Sequence, residues 1–185
     1  MKKPLEMAHD FLAQVITKDD VVVDATMGNG HDTLFLAKLA KQVYAFDIQE
    51  QALEKTSQRL QEAGLTNVEL LLQGHENVDQ FATEVKAAIF NLGYLPSADK
   101  SIITKPHTTI ESLEKLCQML VKGGRIAIMI YYGHEGGDIE RDAVMDYVSQ
   151  LPQQEYTATI YRTLNQINNP PFLVMIEKLE RYRHG

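Results

Sequence analysis

Short apolar runs alternate with amphipathic segments along the chain, and this pattern predicts its secondary structure. The apolar runs predict seven strands, at 21–24, 43–47, 67–72, 87–91, 125–131, 156–161 and 172–177. Apolar residues at helical spacing predict helices at 5–16, 33–39, 49–63, 78–85, 108–121 and 138–150. Such alternation indicates a mainly parallel sheet with helices on both faces. No helix separates the last two strands, so we expect them to pair antiparallel.

Local signals predict the ends of one of these helices. Thr108 or Thr109 is expected to cap the helix 108–121, because a threonine hydroxyl can accept from a free N–H of the first turn. Gly123-Gly124 is expected to end it. The preceding segment, 92–106, is predicted to be a long connection.

Length and composition narrow the class of protein. The 185 residues suit a single domain, 1–185, and 44% hydrophobic with 23% charged residues is ordinary for a globular protein. The one cysteine, Cys117, excludes an internal disulfide, fits a reducing compartment and is predicted to lie in the core. We find no apolar run long enough to cross a membrane and no secretory signal, so we expect a cytoplasmic protein. The net charge of -7 argues against broad coating of nucleic acid but permits a local basic patch.

The most informative stretch is the turn that follows the first strand. Asp24-Ala25-Thr26-Met27-Gly28-Asn29-Gly30 joins a strand-end carboxylate to two glycines, which allow a tight turn and a close approach of backbone to ligand. The helix that follows points free N–H groups at the same place. Such a strand, turn and helix hold adenine-containing cofactors at the edge of α/β sheets, although a tight turn without a ligand is the alternative.

The residues of this turn favour one class of cofactor. A dinucleotide site uses a third glycine, and Thr33 stands at that position. The stretch 24–30 instead resembles the D-x-G-x-G-x-G signature of class I methyltransferases, which use S-adenosyl-L-methionine (SAM), with Thr26 in place of the first glycine. Asp24 can accept from N–H groups of the turn or from the ammonium of SAM. The cofactor contacts predicted here are Asp24, Met27, Gly28, Asn29, Gly30, His31, Asp32 and Thr33.

Further candidate cofactor contacts lie where the second and third strands end. Asp47 is placed to accept both ribose hydroxyls, with a solvated strand-end carboxylate as the alternative. Ile48 and Gln49 follow it and are expected to border the adenine. His75 and Glu76 follow the third strand, where His75 either hydrogen-bonds the adenine or is a bystander.

The fourth strand ends in a candidate catalytic motif. Asn91-Leu92-Gly93-Tyr94 resembles the (D/N)-P-P-(Y/F) motif of methyltransferases that act on amino groups, with Leu-Gly in place of Pro-Pro. A nitrogen nucleophile must present its lone pair to the methyl donor, and the Asn91 carboxamide and the Leu92 carbonyl can accept its hydrogens. Tyr94 can stack on a base. We therefore assign these four residues to catalysis, Asn91 also to the cofactor and Tyr94 also to the substrate; an ordinary polar loop is the alternative.

Two later loops carry side chains suited to an unstacked base and its phosphates. Tyr132 and His134 follow the fifth strand, and Arg162 follows the sixth. We expect all three to contact the substrate, with ordinary loop structure as the alternative. His134 and Glu135 have no second pair at metal-ligand spacing, so no metal site is predicted.

Four segments together resemble one bacterial family, the YtqB-like group long labelled rRNA methylases: 24–33, 91–96, 132–137 and 169–172. The resemblance implies a class I methyltransferase fold, which is a Rossmann-like α/β fold with a mainly parallel seven-stranded sheet and an antiparallel last strand. It implies SAM as the cofactor. It also implies conversion of 5-aminomethyl-2-thiouridine to its 5-methylaminomethyl form at the tRNA wobble position, with the anticodon stem-loop as the partner.

Three alternatives stay open on the sequence alone. The family's older label implies a ribosomal RNA base as the substrate. A non-catalytic accessory protein that binds SAM and RNA would keep Gly28, Gly30 and Asp47 without needing the Asn91 motif. A dehydrogenase would bind a dinucleotide at the same turn. The sequence also leaves the oligomeric state open, a homodimer included.

Overall fold

The structure, a computed structural model, describes residues 1–92 and 106–180. The strands are β1 (Val21–Asp24), β2 (Gln42–Asp47), β3 (Val68–Leu72), β4 (Val85–Leu92), β5 (Leu120–Ile130), β6 (Tyr156–Tyr161) and β7 (Phe172–Lys178). The α-helices are α1 (Pro4–Ala13), α2 (His31–Leu39), α3 (Glu50–Glu62), α4 (Pro106–Met119) and α5 (Gly137–Ser149). A 3-10 helix, His75–Gln80, lies between β3 and β4.

The seven strands form one sheet in the order β3-β2-β1-β4-β5-β7-β6. The first five run parallel, whereas β7 is antiparallel to both β5 and β6, which confirms the predicted mainly parallel sheet with an antiparallel last strand. The chain starts in the middle of the sheet at β1, moves outward to β3, and then returns to β4 on the other side of β1. The carboxyl ends of β1 and β4 therefore flank the switch point, where sheets of this kind bind ligands.

Alternate residues of the central strands build two separate cores, one on each face of the sheet. Val23 packs with residues of α4 and α5 such as Leu113 and Val144, whereas Val22 packs with residues of α1 and α2 such as Leu12 and Leu36. Because neighbouring residues on a strand point to opposite faces, helices on both sides are needed to bury a run of three valines. The strands that end at the switch point are therefore packed on both faces.

The predicted helix 78–85 is wrong. The structure has a 3-10 helix at His75–Gln80 instead, and Val85 is the first residue of β4. Val78 and Val85 are both fully buried, so the apolar pattern correctly indicated two core residues. The two residues are buried by different elements, which a periodicity alone does not reveal.

The predicted ends of the helix 108–121 are also wrong. α4 begins at Pro106. Proline suits the first helical turn because an N–H there would have no partner within the helix, so its absence costs nothing. Thr109 is therefore an interior residue whose buried hydroxyl donates to Glu140 Oε2 at 3.0 Å. The helix ends at Met119, and Gly123-Gly124 lies within β5, where the register against β4 shifts.

Cys117 is buried, as predicted. Most of the segment 92–106 falls outside the described residues. In the part of the chain that the structure describes, no helix combines the length and the apolar character that a membrane span requires.

Candidate active site

The turn after β1 is held from inside by Asp24. This side chain is fully buried; its Oδ1 accepts from the Thr26 N–H at 3.1 Å and its Oδ2 accepts from the Thr33 hydroxyl at 2.6 Å. Burial, and then the nearby carboxylate of Asp32, raise the pKa of Asp24 well above its usual value. Of the two roles predicted for Asp24, the structure shows the bond to the turn.

The two glycines of the turn have different surroundings. Gly28 and Gly30 both have positive φ, +55° and +87°. A Cβ on Gly28 would find its nearest neighbour at 3.9 Å, so the space beside this residue is open. A Cβ on Gly30 would lie 2.9 Å from the Thr56 Cα on α3. Gly30 therefore serves the packing of α2 against α3, and Gly28 leaves a face open to a ligand.

Asp47 links the end of β2 to this turn. Its Oδ2 accepts from the Gly28 N–H at 3.1 Å, and its Oδ1 accepts from the Gln49 N–H at 2.9 Å. Burial raises the pKa of Asp47, and these backbone hydrogen bonds oppose that shift. The carboxylate is thus fixed beside the open face of Gly28. The ribose contact stays a prediction.

Two apolar side chains are exposed at the ends of β2 and β3. Ile48 is 42% exposed and Leu72 is 50% exposed. Leu72 is the register partner of Asp47, the residue before Ile48, so Leu72 and Ile48 lie at the ends of neighbouring strands. Exposed apolar side chains next to a fixed carboxylate suit the flat face of a nucleobase next to its ribose.

His75 offers this place a buried acceptor. Its Nδ1 lies 2.9 Å from the Ala25 carbonyl oxygen and donates to it, and its ring packs edge-on against Phe90. Burial lowers the pKa of His75, which favours the neutral ring, so Nε2 carries no hydrogen. Within the described residues this buried Nε2 has no partner. An acceptor of this kind fits the exocyclic amine of adenine.

Other predicted cofactor residues, from the turn and from the ends of β2 and β3, differ in their burial and contacts. The Met27 side chain is buried against Ala45 and Ala52. His31 is the exposed first residue of α2. Asn29 is exposed, and its carbonyl oxygen accepts from Arg59 Nε at 2.6 Å. The remaining three are half-buried or buried near the same edge: Thr33, Gln49 and Glu76.

Asn91, at the end of β4, is bound to the turn after β1. Its backbone N–H donates to the Thr26 hydroxyl at 2.6 Å, and its Nδ2 donates to Asp32 Oδ2 at 3.1 Å. The Leu92 carbonyl accepts from the Tyr131 N–H at 3.1 Å, as part of the pairing of β4 with β5. The carboxamide of Asn91 is thus held against the predicted cofactor turn. The other two residues of the predicted motif, Gly93 and Tyr94, lie outside the described residues.

Three of the predicted substrate residues, Tyr132, His134 and Arg162, follow the carboxyl ends of β5 and β6. The Tyr132 ring packs edge-on against Phe172, and the Arg141 guanidinium lies 4.8 Å from its centroid. His134 is half-buried in the same loop. Arg162 is exposed just after β6, beyond β7. The structure places Tyr132 and His134 together and Arg162 apart from them along the same edge.

Comparison with known proteins places the chain in a family. The sequence profile of the family described as "Putative rRNA methylase" matches residues 43–177. The chain belongs to this family. A relative named tRNA (mnm(5)s(2)U34)-methyltransferase, chloroplastic, from Arabidopsis thaliana is 37% identical over 192 residues, which cover 96% of this chain and 70% of that protein.

Solved structures agree with membership of the rRNA methylase family. A crystal structure of a "putative methyltransferase from streptococcus mutans in complex with SAH" is 56% identical, with a TM-score of 0.92 over 97% of this chain and 99% of that one. A "putative rRNA-methylase" of Clostridium thermocellum is 42% identical, with a TM-score of 0.93 over 97% and 99% of the two chains. The fold is that of class I Rossmann-like methyltransferases.

The sequence analysis of this rRNA methylase family member did not identify three residues near the candidate site, namely Leu72, Arg141 and His9. Leu72 carries a weak signal, because it is an apolar residue at a strand end next to a candidate cofactor site. Arg141 and His9 carry none. Arg141 reaches Tyr132 from the helix that follows, and His9 Nε2 lies 2.7 Å from Asp32 Oδ1 although it belongs to the N-terminal helix.

Proposed function

We propose that this protein is a SAM-dependent methyltransferase that converts 5-aminomethyl-2-thiouridine to 5-methylaminomethyl-2-thiouridine at the wobble position of tRNA. The observation that carries this proposal is the similarity to the Arabidopsis protein, at 37% identity across 96% of the chain. That protein is named for the methylated wobble nucleoside. The family and the fold support a methyl transfer in general, and this relative supports the particular acceptor.

The cofactor half of the proposal rests on residues that fit SAM. When bound, SAM supplies an electrophilic methyl group on a sulfonium. Gly28 leaves the turn open, and Asp47 presents a fixed carboxylate for the ribose. Ile48 offers an apolar contact and His75 Nε2 a buried acceptor for the adenine. The structure from Streptococcus mutans contains SAH, which has the same adenosine.

The acceptor half rests on Asn91. A primary alkyl amine has a pKa of about 10.4 in water, and only its neutral form carries the lone pair that attacks a methyl group. The protein must therefore bind or generate the neutral amine, and burial at the switch point favours that form. The Asn91 carboxamide oxygen would accept a hydrogen of this amine and aim its lone pair.

The RNA partner is proposed to be the anticodon stem-loop. Tyr132 provides a half-buried aromatic ring that Arg141 covers on one side, and Arg162 provides an exposed positive charge on the same edge of the sheet. Recognition of RNA loops commonly combines stacking on an aromatic ring with contacts to phosphate.

A homodimer is proposed as the assembly, because β6 is an edge strand with exposed residues such as Thr159 and Ile160.

Nucleoside analysis tests the proposed reaction. We expect a strain that lacks this protein to accumulate 5-aminomethyl-2-thiouridine in its tRNA, as measured by mass spectrometry, and to lose the methylated form. Purified protein with SAM should methylate that tRNA and leave tRNA without the aminomethyl group unchanged. Methylation of ribosomal RNA alone would overturn the proposed substrate, and it is the outcome that the family's description favours.

A further inference from the structure

The N-terminal helix α1 reaches the predicted acceptor residue through one carboxylate. Asp32 Oδ1 lies 2.7 Å from His9 Nε2, and Asp32 Oδ2 accepts from Asn91 Nδ2 at 3.1 Å. The Asp32 side chain is 6% exposed and that of His9 is 25% exposed. The His9 ring stacks on Phe35, with centroids 4.0 Å apart and planes 6° apart. The three polar groups thus form a chain from α1 to the end of β4.

The direction of the Asn91 amide follows from this chain. A carboxamide has a donor end and an acceptor end, and the two are exchanged by a flip of the group. A carboxylate only accepts, so Asp32 holds the NH2 end of Asn91. The carbonyl oxygen is then the end turned away from Asp32, and it is available to accept a hydrogen from an amine. A flipped amide would present donors to the acceptor nitrogen and occupy its lone pair.

The role of His9 is to complete the bonding of Asp32. A carboxylate with little exposure is costly unless both of its oxygens have partners. The Nε2–H of His9 provides the partner for Oδ1, and stacking on Phe35 keeps the ring in place. This leaves Oδ2 for Asn91.

We propose that Asp32 and His9 are positioning residues that fix the amide of Asn91 with its oxygen toward the substrate amine. This inference rests on the proposed function, in which Asn91 contacts that amine. It moves Asp32 from the predicted cofactor contacts to the acceptor side of the reaction. It also makes α1 part of the active site.

A double-mutant cycle tests the proposal. We expect Asn91→Ala to lower single-turnover methylation of tRNA bearing 5-aminomethyl-2-thiouridine about 100-fold and Asp32→Ala to lower it about 10-fold. If Asp32 acts only through Asn91, adding Asp32→Ala to Asn91→Ala should change the rate less than twofold. Asp79→Ala, which breaks a surface ion pair with Lys115, is the control and should keep the full rate.

Substitutions of His9 should lower the methylation rate less than Asp32→Ala does. His9→Ala should lower the rate about threefold, and His9→Gln should restore it, because a glutamine Nε2–H can replace that of the histidine. The KM for SAM should stay within twofold of the original in Asp32→Ala and in both His9 variants. A raised KM for SAM with an unchanged rate constant in Asp32→Ala would overturn the inference, as would additive effects in the cycle.

A measurement without turnover keeps the inference separate from the proposed function. In a 15N–1H spectrum of the protein, the side-chain amide of Asn91 should be shifted by its carboxylate acceptor. It should return toward the free-amide position in Asp32→Ala and keep its place in Asp79→Ala. A wild-type protein that shows this shift yet fails to methylate the tRNA would refute the function and retain the positioning. An Asn91 amide that Asp32→Ala leaves unmoved would refute the positioning itself.

Discussion

The two halves of the carboxyl edge of the sheet are built in different ways. Over β1 and β2, the predicted cofactor residues are bonded to the backbone of their neighbours, as Asp24 is to Thr26 and Asp47 to Gly28. Beyond β5, the loop between β6 and β7 is exposed, with Leu164 86% exposed and Ile167 78% exposed. A small cofactor of constant shape suits the first construction. A large RNA that brings its own structure suits the second.

This difference predicts where stability and function are coupled. In the cofactor half, the same hydrogen bonds hold the turn together and shape the candidate site, so a substitution there should affect both. In the substrate half, an exposed side chain can be lost with little effect on folding, because surface substitutions away from such networks change stability little. Four experiments test this contrast, and they are given in decreasing order of the effect that we expect.

Gly30→Ala should have the largest effect. A Cβ at this position would lie 2.9 Å from the Thr56 Cα, and φ is +87°, so overpacking and backbone strain combine to destabilise the protein by about 3 kcal/mol. Urea unfolding measures this. Gly64→Ala is the matched control, since Gly64 has φ of +67° but nothing within 4 Å of its Cβ position, and it should lose only about 1 kcal/mol. Equal losses would mean that packing against α3 contributes nothing.

Asp47→Ala should weaken the binding of SAM by 10- to 100-fold, roughly 1.4–2.8 kcal/mol, because the ribose loses a charged acceptor. Calorimetry with SAM measures the dissociation constant. Glu54→Ala removes an exposed carboxylate from α3 and should bind SAM normally. An unchanged affinity in Asp47→Ala would remove this residue from the site and make its bonds to the turn purely structural.

The third experiment concerns a buried carboxyl beneath the substrate half. Burial raises the pKa of Glu140 to about 7, although the hydrogen bond from Thr109 opposes the shift. A raised pKa in the folded state means that the neutral form contributes stability below the unfolded pKa of 4.5, and that this is lost as the pH rises through about 7.

Glu140→Gln should therefore be about 2 kcal/mol more stable than the wild type at pH 8 and nearly equal to it at pH 5. Thermal unfolding across this pH range provides the comparison. Glu54→Gln on the surface should follow the wild type throughout. A constant difference between Glu140→Gln and the wild type at all pH values would show that this carboxyl does not titrate in the folded protein over that range.

Arg162→Ala should have the smallest effect on the protein and a measurable effect on RNA. We expect about threefold weaker binding of an anticodon stem-loop, a reduced dependence of affinity on salt, and a change in stability below about 0.5 kcal/mol. Lys41→Ala is the control, because Lys41 is exposed next to the start of β2 at the opposite edge of the sheet. Equal losses of RNA affinity in both variants would indicate general attraction by charge.

The pattern of the sequence was sufficient for the sheet and insufficient for several contacts. Alternation of strands and helices is local information, and it predicted β6 at 156–161 with both ends correct. The turn at Gly28 was also predictable, because its chemistry lies within seven residues. The assignment of a ligand-binding role to Gly30 was incomplete, since the residue that excludes a side chain there, Thr56, belongs to the next helix.

Contacts between distant segments account for most of what the sequence did not reveal. His75 bonds to Ala25 across 50 positions, and His9 meets Asp32 across 23. Each pairing joins two segments that only the fold brings together. Nothing in the local composition of either segment indicates its partner. The interior position of Thr109 is a different case, because it follows from the start of α4 at Pro106, a local signal that the prediction did not use.

Thr26 has a consequence for protein engineering. Consensus design of a class I methyltransferase would place glycine here, as the usual motif does, and would count the change as an improvement of the turn. In this chain that change would delete the hydroxyl that accepts the Asn91 N–H at 2.6 Å, a partner 65 positions away. A consensus taken from residue types does not detect this contact, because its donor is a backbone N–H and leaves no trace in the residue type at position 91. Libraries built on this scaffold should therefore keep a hydroxyl at position 26, because the donor is a backbone N–H that any residue except proline provides at position 91.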